Sequence, residues 1–253
     1  MWTRSLLKTN AKQVLRQNYW MALLVSFIVL LLGSAPNSLR LNFNYSTDVE
    51  YYNSQFSPFS AHMRLPFAGA LAGFFATYAL LLSIVFFVVR IFVSSPVQVG
   101  SDRYFMESRV GDAPFATLFS AFGNPAYWNV VKVMFLRNLF IFLWSLLFVI
   151  PGIYKAYQYR MVDYLLAENP YLPYDRVFEL SRQMTDGEKF NIFVLDLSFF
   201  GWLFLGTLLL YVGAIFVHPY INATYAELYA AMRAKAFAIG ISDEEELSGF
   251  LQY

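Results

Sequence analysis

The sequence predicts an all-α fold, a polytopic membrane helix bundle, and three observations predict it. Residues 67–93 form an apolar run with a single charge, Arg90, and similar runs follow it. A helix rises ~1.5 Å per residue and a hydrocarbon core is ~30 Å thick, so about 20 apolar residues cross it. The chain is 58% hydrophobic and only 14% charged, against roughly 25% charged residues in a soluble domain. Within the hydrophobic share, aromatics make up 20% of the chain, with 27 Phe, 18 Tyr and 5 Trp. That mixture suits Phe facing lipid and Tyr or Trp at the two interfaces.

Residues 1–18 read as an interfacial amphipathic helix. Arg4, Lys8, Lys12 and Arg16 recur every fourth residue as a basic stripe, while Leu7, Ala11 and Val14 fall on another face. The stripe is a candidate for anionic lipid, with an arm for a macromolecular partner as the alternative. A formal net charge of +1 argues neither for nor against nucleic acid, and none is expected as a partner. Residues 19–35 are the first predicted span, with Tyr19 and Trp20 at headgroup level. The preceding cations and the Gly33-Ser34-Ala35 end also outline a cleaved signal peptide, but Pro36 and the length of the basic helix favour a retained span.

Residues 37–66 are polar and aromatic and read as an outer loop, in which Asn44-Tyr45-Ser46 matches a glycosylation pattern common by chance. The second span, 67–93, opens with Gly69, Ala72, Gly73 and Ala76, a candidate helix-packing face for the bundle itself, a homo-oligomer or a membrane-protein partner. Charges and Pro or Gly return over 94–125, which predicts a cytoplasmic segment with short surface helices. Residues 127–150 are the third span, Pro151-Gly152 a tight reversal, and 153–167 a short, polar fourth span. A second cytoplasmic segment, 169–189, holds a short helix around 175–184. The fifth and sixth spans are 190–208 and 211–231, and the acidic tail 236–253 reads as a solvated end. All of this forms a single membrane domain. Lys and Arg gather on one side of the six spans, which places both termini in the cytoplasm.

The sharpest signal is a set of ionisable residues inside the predicted spans: Arg137, Arg160, Asp163, Asp196 and Glu227. At ~1.5 Å per residue all five lie roughly 6 to 14 Å below the cytoplasmic ends. A charge at the centre of a spanning helix costs ~2.5 to 3.5 kcal/mol on insertion scales, so such residues face the bundle and pair. Arg160 and Asp163 stand one helical turn apart, close enough to interact. The cluster can hold helices in register, or line a pathway or pocket. His218 and Pro219, with Asn222 one turn on, mark a candidate kink or polar site in the sixth span.

With no Cys, the chain has no disulfide, thiol nucleophile or thiolate metal site, and its two His lie far apart. No metal or cofactor is expected. The sequence contains no GxSxG, HExxH, Walker-type or dinucleotide fingerprint, so no enzyme is expected either.

Ile150-Pro151-Gly152-Ile153-Tyr154-Lys155, Leu165-Leu166-Ala167-Glu168-Asn169-Pro170, Leu180-Ser181-Arg182-Gln183-Met184-Thr185-Asp186-Gly187-Glu188-Lys189 and Leu197-Ser198-Phe199-Phe200-Gly201-Trp202 together resemble the DUF975 family of uncharacterised bacterial integral-membrane proteins. Lys8, Ala11-Lys12 and Asn18-Tyr19-Trp20 are similar to it as well. The resemblance implies a multi-pass protein of the bacterial cell membrane and assigns no activity, substrate or catalytic residue. Two functions remain open: transport or sensing of a small or lipid-like molecule, and a structural or regulatory role beside other membrane proteins.

Overall fold

Thr3 starts the first helix by accepting the amide of Leu6 on its hydroxyl at 3.3 Å, which satisfies one of the free N–H groups of the first turn. The computed structural model describes residues 2–32, 68–208 and 212–249, and every regular element among them is helical. The predicted outer loop, its Asn44 triplet and residues 33–36 lie outside the described residues.

α1 spans Arg4–Leu31, with non-helical torsions at Asn18 (φ −131°, ψ 38°). The bend falls where the sequence changes from basic to apolar. Leu7, Ala11 and Leu15 are buried on the first half and Ala22, Val25 and Val29 on the second, and the helix packs mainly along α9, Val212–Ala238. The apolar face of residues 1–18 therefore meets protein, with Leu15 in the buried position and Val14 at its edge.

The chain divides into two units, Leu41–Val89 and Met1–Arg40 together with Arg90–Tyr253, where the sequence suggests a single domain. In the first lies α2, Ala68–Val89. Its described side chains are exposed and mostly apolar, Phe74, Leu81 and Phe86 among them. The backbone of the Gly69, Ala72, Gly73 and Ala76 face is helical, and its side chains lie outside the described residues.

The second unit is organised around α3, Ser95–Glu107, which follows a π-helical turn at Arg90–Ser94. Here the expectation of surface helices over 94–125 fails. Nearly every residue of α3 is buried, and the helix touches α1, α4 (Tyr127–Leu147), α6 (Val162–Glu168), α9 and the 3-10 turn Phe115–Phe119. Gly100 is the point of closest approach, since a Cβ there would overlap the Leu118 carbonyl. Charges and glycine inside one helix read as loop composition, but here they serve an interior.

The predicted fourth span is two short helices, α5 (Val149–Gln158) and α6, separated by a turn at Tyr159–Met161. The break frees backbone groups, and α7 (Tyr174–Met184) supplies their partners. Ser181 Oγ donates to the Gln158 carbonyl at 2.9 Å and accepts the Met161 amide at 3.2 Å, while Thr185 Oγ1 reaches the same carbonyl at 3.3 Å. α8, Lys189–Leu208, then packs on α9 and α5. α9 continues as helix through Pro219.

The acidic tail is docked rather than solvated. Arg176 forks onto Glu246 at 2.6 and 3.0 Å and donates to the Ile241 carbonyl at 2.8 Å, and Arg233 donates to the Leu247 carbonyl. Leu247 is fully buried beneath these contacts. Asp243 caps the local turn through the Glu246 amide at 2.8 Å, so part of the acidic run is consumed in holding its own backbone.

Three described helical stretches are long and apolar enough to cross a membrane: Arg4–Leu31, Thr77–Glu107 and Tyr127–Leu147. Their outward side chains include Trp20, Phe27, Phe142 and Leu146. So large an apolar surface requires an apolar surrounding, as a lipid bilayer provides.

Candidate functional site

Four of the five charges singled out from sequence meet in one buried cluster. Arg137, on the inner face of α4, places Nη1 2.6 Å from Asp163 Oδ1 at the start of α6, and the side chains are 2% and 5% exposed. Arg160, in the turn between α5 and α6, places Nη2 3.3 Å from Asp196 Oδ1 on α8. Asp196 also accepts the Tyr157 hydroxyl at 2.9 Å. The Arg160 guanidinium lies 4.2 Å from the Tyr225 ring centroid, so its flat face rests on an aromatic while its edge meets the carboxylate.

The neighbours Arg160 and Asp163 take different partners, because the α5–α6 turn lies between them and removes the helical geometry that would set them face to face. Each pair joins separate helices: α4 to α6, and the turn to α8. Removing two ions from water costs several kcal/mol each, and mutual attraction offsets this only with good geometry and further hydrogen bonds. Tyr157 and Tyr225 contribute to that at Arg160.

Asp102 joins this interior and is missed from sequence. It is 2% exposed, and both its oxygens stand 3.2 Å from Gln98 Nε2, one turn back on α3. An Asp and a Gln four residues apart, at the end of a long apolar run, were the available signal. Tyr164 on α6 stacks on Tyr229 of α9 with centroids 5.4 Å apart and planes 18° from parallel. Tyr229 donates to Glu168 at 2.5 Å, and Glu168 accepts Arg233 Nε at 2.8 Å. Glu168 and Arg233 sat just outside the predicted spans and were not singled out.

Glu227 belongs elsewhere. It accepts Arg109 Nε at 2.8 Å and Nη2 at 3.4 Å, and Asn10 Nδ2 at 3.2 Å. These contacts tie α9 to α1 and to the turn after α3. Asn222 likewise ties α9 to α1, donating to Ser26 Oγ at 3.0 Å. His218 is half-buried beside Pro219 on the continuous helix.

Two cavities flank the first half of α1. One, of about 700 Å³, is lined by Lys12, Arg16, Tyr19 and Tyr220 with Thr9 and Gln13. Lys12 Nζ lies 5.8 Å from the Tyr220 ring centroid, and Tyr19 donates to the Phe216 carbonyl at 3.1 Å. The other, of about 440 Å³, lies between α1 and the turn at Ser108–Gly111, with Glu227 in its wall. Among the described residues no group of His, Cys, Asp or Glu could hold a metal ion.

The family described as "Protein of unknown function (DUF975)" has a model that matches residues 118–236, in agreement with the resemblance read from the sequence. The match takes in Arg137, Arg160, Asp163, Asp196 and Glu227, whereas Lys8 to Trp20 lie outside it. No curated protein and no solved structure matches the chain.

Proposed function

We propose that this chain is a non-enzymatic, multi-pass protein of the bacterial cell membrane that senses or transports a small or lipid-like molecule. Anionic phospholipid is the ligand its surface favours. About six helical crossings with both termini in the cytoplasm form its frame. The cations of one end support that orientation: Arg109, Arg176, Arg233 and Lys235 all join the packing of α7, α9 and the tail or the start of α1.

The observation that carries the reading is the order of groups along α1. Lys12 and Arg16 come first, Tyr19 follows in the same cavity, and the exposed apolar side chains Trp20, Leu24, Phe27 and Leu31 come after the bend at Asn18. A phospholipid presents phosphate, ester region and acyl chain in that order. Cations near an anionic surface contribute ~1 kcal/mol each, and the tyrosines suit the boundary between headgroup and chain. The buried pairs have a simpler part in this reading: they hold α4, α6 and α8 in register around the ligand-facing helix.

Thermal unfolding and native mass spectrometry of the intact chain in nanodiscs test this. Phosphatidylglycerol should raise the unfolding midpoint over phosphatidylcholine and be retained as a bound lipid. Lys12→Gln with Arg16→Gln should abolish both effects. Equal midpoints and no retained anionic lipid would refute the proposal.

A further inference from the structure

The cavity on the other flank of α1 differs from the basic one in its chemistry. Asn10, Gln13 and Gln17 recur at helical spacing along one face of α1 and look across to Ser108 and Arg109. Among the described residues the carboxamides of Gln13 and Gln17 have no hydrogen-bond partner, and both residues are exposed. Arg109 gives Nε and Nη2 to Glu227, which among the described residues leaves its remaining terminal nitrogen uncommitted. Asn10 gives its NH₂ to Glu227 and keeps its carbonyl oxygen.

Because Arg109 and Glu227 neutralise each other, the wall has no strong net charge to select an ion. What it offers is a dense mixture of donors and acceptors, often on one side chain: each free carboxamide has two N–H donors and an acceptor oxygen. Hydroxyl groups are the natural complement, since each both donates and accepts. A simple anion would leave the amide oxygens unmatched, and an apolar group would leave every polar atom desolvated without a partner, at a cost of ~1 to 3 kcal/mol each. The volume, about 440 Å³, falls within the ~300 to 1,000 Å³ range of small-molecule sites.

We infer that this cavity, framed by Asn10, Gln13, Gln17 and Arg109, binds a polyhydroxylated group. It can arrive as a free polyol or sugar, or as the hydroxyl-bearing headgroup of a lipid. Gln13 borders both cavities, but Gln17 and Arg109 belong to this one and Lys12 and Arg16 to the other, on which the anionic-lipid reading stands, so either can fail alone. Asn18 at the end of this face contacts Asp112 just beyond the turn, so an occupant spanning α1 and Ser108–Gly111 would bridge the same two segments beside the bend.

The test uses the full chain with two probes. Isothermal titration in detergent with myo-inositol and with glucose reads the free source. Unfolding in nanodiscs of phosphatidylglycerol against phosphatidylserine, lipids of equal formal charge, reads the lipid-borne source. Saturable binding of a free probe, or a higher midpoint in phosphatidylglycerol, is the expected result. Free-probe binding should fall at least tenfold in affinity, and the midpoint difference between the two lipids should vanish, in Gln13→Leu with Gln17→Leu, whereas free-probe binding should persist in Lys12→Gln with Arg16→Gln. Both glutamines are exposed, so the double variant retains the fold, and an unchanged midpoint in phosphatidylcholine verifies that. No saturable binding together with equal midpoints in the two lipids overturns the inference, as does binding unaffected by the glutamine substitutions.

Discussion

The two halves of α4 follow opposite rules. Toward its start, Val130, Val133, Met134 and the charged Arg137 are all buried, while toward its end Phe142, Leu143, Leu146 and Leu147 are exposed. The exposed apolar series continues through Phe148, Val149 and Ile150, the last 80% exposed. One helix thus keeps an ion inside and its greasiest residues outside. The difference teaches that hydropathy reports the surroundings of a residue only when the identity of those surroundings is known. The first half is enclosed by α3, α6 and α7, where ion pairs connect helices. The second half has an apolar environment whether it faces a neighbour or a lipid tail, so exposure there carries no penalty in a bilayer.

Breaking the buried pair should give the largest effect. Asp163→Leu leaves Arg137 enclosed without its carboxylate and should destabilise the fold by about 3 to 5 kcal/mol, read as a lowered unfolding midpoint in detergent. The double change Arg137→Met, Asp163→Leu should recover most of that loss, and failure to recover would show that shape or a third partner matters more than the pair. Asp196→Asn keeps the volume and the Tyr157 contact while removing the charge opposite Arg160. A loss of about 2 to 3 kcal/mol is expected, smaller because Tyr225 still covers the guanidinium.

Two glycines sharpen the comparison at close helix approaches. A Cβ on Gly152 would lie 2.7 Å from Ser145 Cα, at the α4–α5 hairpin beside the apolar half, and one on Gly100 would overlap Leu118 backbone where α3, which encloses the other half, meets the 3-10 turn. Gly→Ala should cost about 1 to 3 kcal/mol at each, with the greater loss at Gly100, where the obstructing atoms are all backbone. Thermal denaturation of the two variants side by side measures the difference.

The docked tail gives a pH-dependent test. The Arg176 guanidinium holds the Glu246 carboxyl below the usual carboxylate range. A lowered folded value means that the stabilisation is complete above the unfolded value of ~4.3 and is lost as pH falls through the folded one. Hydrogen-exchange protection factors over residues 239–249, measured against the intrinsic rate at each pH, should therefore fall in acid, and Glu246→Gln should show the lower protection already at neutral pH. The smallest effect belongs to the apolar half. Leu146→Gln should change stability in detergent by less than about 0.5 kcal/mol, while lowering the fraction of chain recovered in the membrane.

Much of the fold was legible because lipid imposes a length on apolar helices and water imposes polarity between them. The division at Asn18 followed from basic residues giving way to apolar ones. Four members of the buried cluster were found because a charge within an apolar run has few explanations. Asp102 escaped because Gly100, Arg103 and Glu107 around it carry the composition of a surface loop. The docked tail escaped because Glu246 is matched by Arg176, seventy residues earlier, and no local pattern announces such a pair.

By itself the sequence determined that these segments are helices, that they require an apolar surrounding and that Arg137, Arg160, Asp163 and Asp196 must turn inward. Those outcomes follow from local costs: unpaired backbone groups and solitary charges in lipid. Only the tertiary structure decided that Arg137 takes Asp163, that Arg160 takes Asp196, and that Glu227 leaves the cluster for Arg109. A partner is chosen by distance and direction across helices, and these were set by the turn at Tyr159–Met161 and by the depth at which α3 is enclosed.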